Sequence, residues 1–124
     1  MPELLFLFLT YHATRFSLLK NLDFEQPLVN KKNFHVFNMF VVSHPKRELI
    51  LKKMRSKNIN LNIHYPYPIH TMKAYKNFKS DDSNRLIETE KKAKKIFSLP
   101  IYPSIKNHEI ENIIQNINKI LSKI

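Results

Sequence analysis

Apolar positions recur in two rhythms along this chain, and each rhythm predicts an element. The clearest is near the C-terminus. Ile110, Ile113, Ile114, Ile117, Leu121 and Ile124 fall on one stripe at helical spacing. Glu109 and Glu111 sit in its first turn and Lys119 and Lys123 in its last, the charge order that suits a helix dipole. The pattern predicts a helix over 107–122, capped by Asn107. A second helix is expected over 46–57, where Ile50 and Met54 stand four apart and Leu51 flanks them. Asn58 is its expected terminator, because asparagine is second only to glycine in the left-handed conformation. A third is expected over 84–97, with Leu86, Ala93 and Phe97 on one side and Ser83 or Asp82 as cap. At the N-terminus the apolar run Leu4–Leu9 reads as a piece of helix in need of a partner surface. Tyr11–Leu22 continues it with Phe16, Leu19 and Lys20, and Pro27 breaks the connector over 22–33.

The period-two segments are shorter. His35–Val42 is rich in Val and Phe and runs into His44-Pro45, a stop signal. Its near-continuous apolarity predicts a strand covered on both faces. Leu61 and Ile63 alternate with Asn60 and Asn62, predicting a half-buried strand over 60–64. The stretch 98–101 reads as extended, placed to join these two. Between them lies His64-Tyr65-Pro66-Tyr67-Pro68-Ile69-His70, whose alternate prolines forbid helix and impose a stiff, extended path. Residues 71–78 read as a short helical turn and 79–83 as a polar loop. The order of elements predicts a small α/β domain with a short sheet packed by helices.

Composition narrows the chemistry. The 124 residues make one modest core. There is no cysteine, so disulfides, a zinc ribbon and a thiol nucleophile are excluded. There is no glycine either, which excludes the glycine-rich phosphate cradles. The formal net charge of +11 invites a polyanion partner. However, 17 of the 21 basic residues are Lys, beside 13 Asn and 14 Ile but only 3 Ala. That usage follows A/T-rich codons, so the charge reads mainly as genome composition and nucleic-acid binding is not the expected role. The apolar N-terminal run is too short to span a membrane, and Glu3 and the lack of a small-residue cleavage site argue against export. A cytoplasmic chain with no membrane role is expected.

No complete catalytic set is visible. His64 and His70 are six apart with no acid within ten positions of their loop, so a metal site is not expected. Ser17 and Lys20 match Ser-x-x-Lys, but a lysine at a helix end is usually a solvated charge. Asp81 and Asp82 sit in a polar loop. The 64–70 loop is the one stretch that invites a binding role. Two imidazoles, two phenols and two prolines in seven residues present hydrogen-bonding groups and flat rings at little ordering cost.

Five ordered blocks carry a resemblance. They are Phe34–Val42, Arg47-Glu48-Leu49 with its helix, Ile59–His70, Ala74-Tyr75, and Ala93–Pro103. The most specific are His-Tyr-Pro-x-Pro-x-His and Ser-Leu-Pro-x-Tyr-Pro. From about residue 19 to 124 the chain resembles the C-terminal small domain of the DegT/DnrJ/StrS sugar aminotransferases, which depend on pyridoxal phosphate. The resemblance implies the small domain of the type I pyridoxal-phosphate-dependent transferase fold over 34–124. Residues 1–33 would then be a helical arm and linker left from the interdomain helix. It implies that His64, Tyr65 and Tyr67 are substrate-side contacts for a nucleotide sugar. In the family the Schiff-base lysine, the acid facing the pyridine nitrogen and the phosphate groups belong to the large domain, and no block here matches them. Ser17–Lys20 lacks the histidine and glycines of the family's lysine motif. The chain alone is therefore expected to hold no cofactor and to be inactive, as half of a split enzyme or a gene remnant. The expected partners are a separately encoded large domain, a nucleotide sugar and, through Leu4–Leu9, a second copy of the chain. The competing reading is a stand-alone basic α/β module for RNA or another anion.

Overall fold

The computed structural model describes residues 2–19, 23–33, 35–75 and 86–124, with side chains from Leu9 onward except that of Ser17. Helix α1 spans Pro2–Arg15 and tightens into a 3-10 turn at Phe16–Leu18. Strand β1 is Phe40–Ser43 and helix α2 is Arg47–Arg55. Two 3-10 turns follow at Ile69–Thr71 and Lys73–Tyr75. Then come helix α3 (Ile87–Ala93), strand β2 (Ile96–Leu99) and helix α4 (Asn107–Leu121). The strands β1 and β2 form an antiparallel pair in the register Phe40↔Leu99, Val41↔Ser98, Val42↔Phe97 and Ser43↔Ile96. Single bridges widen it on either side, Glu25 to Ser43 and Asn62 to Ser98.

Helix α4 behaves as its stripe predicts. Ile110, Ile113, Ile114, Ile117, Ile120 and Leu121 are buried. Ile120 joins the stripe and Ile124 leaves it, because the helix ends at Leu121 and the last residue is exposed. The cap is Lys106 rather than Asn107. Its backbone N–H is held by the Glu109 carboxylate at 2.8 Å, so an acid in the first turn supplies the capping oxygen. Helix α2 ends as expected. Asn58 takes φ 58°, and the N–H groups of Asn58 and Ile59 close back onto Arg55 and Met54.

The strand expectations need correcting. The 35–42 segment is strand only from Phe40. Phe37 stands at φ 44° and its N–H donates to His35 Nδ1 at 2.9 Å, so the chain turns where the apolar run suggested a ladder. Phe37 remains buried by stacking on Phe40. The 60–64 strand reduces to the single bridge at Asn62. The helix expected through residue 97 stops at Ala93, and Ile96-Phe97 pair with β1 instead. Residues 84 and 85 and the caps proposed at Asp82 and Ser83 lie outside the described residues, as does Lys20.

One core unites these elements. Phe16, Leu19 and Phe24 from the N-terminal part share it with Phe40, Val42, Ile50, Met54, Phe97 and the α4 stripe. Phe16 packs on Phe40 with ring centres 5.0 Å apart, and an Arg15–Glu111 ion pair ties α1 to α4. Arg47 reaches from α2 to the end of α3, donating to the carbonyls of Ala93 (2.7 Å) and Ile96 (3.3 Å). These are carbonyls that a helix end and a strand start leave without ladder partners.

Candidate functional site

The His64–His70 loop leaves the core at Leu61, which is buried. Its first pin is Ser98. The Ser98 N–H donates to the carbonyl of Asn62 at 2.7 Å, and its hydroxyl lies 2.7 Å from His64 Nδ1. One strand residue therefore fixes both the backbone and the ring at the loop's entrance. The second pin is at the exit, where His70 Nε2 meets Glu90 Oε1 of α3 at 3.1 Å. Between the pins, Tyr65 turns the chain at φ 61°. The prolines hold the rest extended until the 3-10 turn at Ile69, which Thr71 Oγ1 closes onto the Pro68 carbonyl. Tyr65 and Tyr67 are left 76% and 66% exposed, so both phenols face outward from a loop fixed at both ends.

The loop divides two hollows. The larger, about 1050 Å³, has Tyr65, Tyr67, Ile69, Tyr75, Leu86 and Ile96 among its walls. Its polar edge includes Glu88 and Lys92. Lys92 is ion-paired with Glu25, whose carboxyl is held below its ordinary range by that contact. Glu88 is bonded to Lys91 at 2.7 Å and is likewise held low. The smaller hollow, about 390 Å³, lies on the far side of His64 and has Ser98 and Leu99 in its wall. The structure thus separates the three residues singled out in the sequence. Tyr65 and Tyr67 line the larger hollow, and His64 lines the smaller one. Ser98 belongs to the Ser-Leu-Pro-x-Tyr-Pro block, and nothing in that spacing signals its link to a histidine 34 positions away.

Two further histidines are buried. His12 in α1 is 2% exposed, and His44, the residue after β1, is buried with its Nδ1 accepting the Lys46 N–H at 3.0 Å. Burial lowers the pKa of both; nearby Arg15 adds to the effect on His12, while on His44 the Asp23 carboxylate opposes it and Lys46 adds a smaller push downward. Among the described residues, no three His, Cys, Asp or Glu side chains converge as a metal would require. Nor do the larger hollow's walls fit pyridoxal phosphate. The lysine in them is half-exposed and committed to Glu25. The neighbouring helix opens with Glu88 and Glu90, which repel a phosphate.

This arrangement has known relatives. The profile of the DegT/DnrJ/EryC1/StrS aminotransferase family matches residues 10–118. The chain is 39% identical over 99 residues to dTDP-3-amino-3,4,6-trideoxy-alpha-D-glucose transaminase of Micromonospora megalomicea subsp. nigra, covering 79% of this chain and 26% of that protein. It is 31% identical over 101 residues to dTDP-3-amino-3,6-dideoxy-alpha-D-galactopyranose transaminase of Aneurinibacillus thermoaerophilus, covering 82% and 27%. Among solved structures, a DegT DnrJ EryC1 StrS aminotransferase from Brucella abortus superposes with TM-score 0.81 at 22% identity, over 90% of this chain and 30% of that one. DesV of S. venezuelae superposes at 0.83 with 19% identity, over 94% and 32%. The fold is therefore that of part of a pyridoxal-phosphate-dependent aminotransferase. The chain belongs to the DegT/DnrJ/EryC1/StrS aminotransferase family. It spans about a quarter of the length of the curated relatives it matches. No helix among the described residues is long and apolar enough to cross a membrane.

Proposed function

We propose that this chain is the small-domain part of a nucleotide-sugar aminotransferase, and that its task is to present the His64–Tyr67 loop to the substrate. The observation that carries the reading is the doubly pinned loop within a stretch, residues 10–118, that matches the family throughout. The two relatives above are transaminases of dTDP-linked amino sugars, which suggests that substrate class. Tyr65 and Tyr67 supply phenols to hydrogen-bond sugar hydroxyls or the diphosphate, and His64 supplies an imidazole at the loop's root. A loop already fixed by Ser98 and Glu90 orders little on binding, which favours affinity.

Pyridoxal phosphate, when bound, supplies the electron sink for amino transfer. In this reading it is held by polypeptide other than the residues described here, on a partner chain or on a longer form of this one. Residues 1–33 are the arm that joins the small domain, 34–124, to that part. The chain alone then holds no cofactor. The test is a titration of the isotopically labelled chain with dTDP-glucose, followed by nuclear magnetic resonance. Signals of Tyr65 and Tyr67 are expected to move, and Tyr67→Ala is expected to weaken binding without altering the melt. Shifts confined to the lysine-rich ends of α2 and α3 would instead support a general anion-binding module.

A further inference from the structure

The two ends of the segment that carries β1 are held by the same local device. His35 Nδ1 accepts the N–H of Phe37 at 2.9 Å, and His44 Nδ1 accepts the N–H of Lys46 at 3.0 Å. Each ring bonds the backbone two residues on, as an Asn or Asp side chain does in an Asx turn. A backbone N–H can only donate, so both rings carry their proton on Nε2 and both are neutral. At one end the turn holds Phe37 at φ 44°, a costly conformation for a bulky residue that lasts only where its surroundings impose it. Phe37 stacks on Phe40 with ring centres 5.6 Å apart, and Phe40 also receives Phe16 from the turn after α1. At the other end His44 leads into α2. Its N–H donates to the Lys95 carbonyl and its own carbonyl accepts the Arg47 N–H, both at 3.1 Å.

His64 supplies the contrast. Its Nδ1 faces the Ser98 hydroxyl, which can reverse and accept when the ring nitrogen gains a proton. The N–H groups of Phe37 and Lys46 cannot reverse. We propose that His35 and His44 form an acid-released clamp on β1: a proton taken up by each Nδ1 turns an acceptor into a donor facing a donor, and the turn at Phe37 and the first turn of α2 open. Phe40, on which Phe16 sits, then loses the ring stacked beside it. The groups around His44 act in both directions. Burial opposes the proton most, Asp23 of the connector favours it and Lys46 opposes it, so this end opens below the ordinary range of a histidine. The other charged neighbours are Glu25, bridged to Ser43 and paired with Lys92, Arg47, paired with Glu48, and the exposed Lys95. His35 is exposed to water. Among the described residues no ion pair reaches it, and the nearest charged residues along the chain are Lys31 and Lys32.

The test uses the full chain, labelled with nitrogen-15 and followed by nuclear magnetic resonance between pH 8 and 5. At pH 8 the ring signals of His35 and His44 are expected to show the proton on Nε2. On acidification the exchange protection of the Phe37 and Lys46 amides is expected to fall about fivefold or more, a hydrogen bond's worth. The Ser98 amide, bonded to the Asn62 carbonyl, is the reference and is expected to keep its protection. His35→Asn and His44→Asn each keep an acceptor that does not titrate. Each is expected to hold its own turn closed to pH 5 while the other turn still opens. His35 is exposed, so its variant tests the device even where His44→Asn fails to fold. The proposal is overturned if Nδ1 carries the proton at pH 8, or if Phe37 and Lys46 lose no more protection than Ser98. It is also overturned if only one turn opens in the parent, or if a folded Asn variant keeps the parent's pH dependence at its own turn.

Discussion

Truncating Ile117 to alanine probes how much of this small fold hangs on α4. The side chain is 0% exposed and sits midway along a helix that contributes six buried residues to the core. Among the described residues the sheet has two strands, so helix packing organises much of the interior. Removing three buried carbons loses their transfer free energy and leaves a cavity that close packing fills only in part. For Ile→Ala at a fully buried site the sum is about 2–5 kcal/mol. Total stability for a domain of this size is on the order of 5–15 kcal/mol, so the change takes a large share. Thermal unfolding followed by circular dichroism should show a midpoint lowered by more than about 10 °C. Ile117→Val should cost roughly 1 kcal/mol and fall between. Ile124→Ala is the internal control, because that side chain is 39% exposed and lies beyond the helix end. If Ile117→Ala melts with the parent, or no lower than Ile124→Ala, α4 is not docked as described and the core argument fails.

Two other outcomes follow from local features. Asn58 occupies φ 58° at the end of α2, so Asn58→Ala should destabilise by roughly 1 kcal/mol while Asn58→Gly is neutral or slightly stabilising, as urea midpoints will show. His12 and His44 have folded pKa values below the ordinary 6.5, so above that pH both states are neutral and the pair contributes nothing. As pH falls below 6.5 the unfolded chain takes up protons that the folded chain refuses, and stability declines until the folded values are passed. Glu25 and Glu88, held below 4.5, lose their contribution only in more acidic solution, which leaves pH 6.5 to 5 to the histidines. Melting points measured between pH 8 and 5 should therefore fall toward pH 5, and His12→Leu should flatten the slope. A flat parent profile contradicts the burial of both rings.

The helices were more legible than the strands, for a physical reason. A 3.6-residue stripe such as Ile110–Ile117 records a burial face directly, and the Asn58 terminator records a backbone conformation that few residues tolerate. The run His35–Val42 records only apolarity. Phe37 and Phe40 are buried and stack on each other around a turn at Phe37, which a period-two reading cannot distinguish from a ladder. Leu86, Ala93 and Phe97 fall on one side at helical spacing, and that spacing carries the expected third helix past Ala93. Pairing with β1 claimed Ile96 and Phe97 instead, a tertiary effect. At the site, the loop itself was legible from its prolines and rings. What the sequence could not show was the distance of 2.7 Å between His64 and Ser98, or the placement of His64 and the two tyrosines on different hollows. The buried His12 and His44 carried no distinguishing pattern. The expected self-association through Leu4–Leu9 rests on side chains of which only Leu9 is described.

The most direct measurement of the central claim is kinetic. The matched stretch of the Micromonospora megalomicea subsp. nigra transaminase is replaced by residues 10–118 of this chain, and amino transfer to its dTDP-linked sugar is assayed. The account predicts a chimera that turns over, with Tyr67→Ala in the graft raising KM by about tenfold more than it lowers kcat, as a lost binding contact should. A folded, cofactor-loaded chimera with no turnover, or one whose kinetics ignore Tyr65 and Tyr67, would contradict the proposal that this chain presents the substrate-side loop of a nucleotide-sugar aminotransferase.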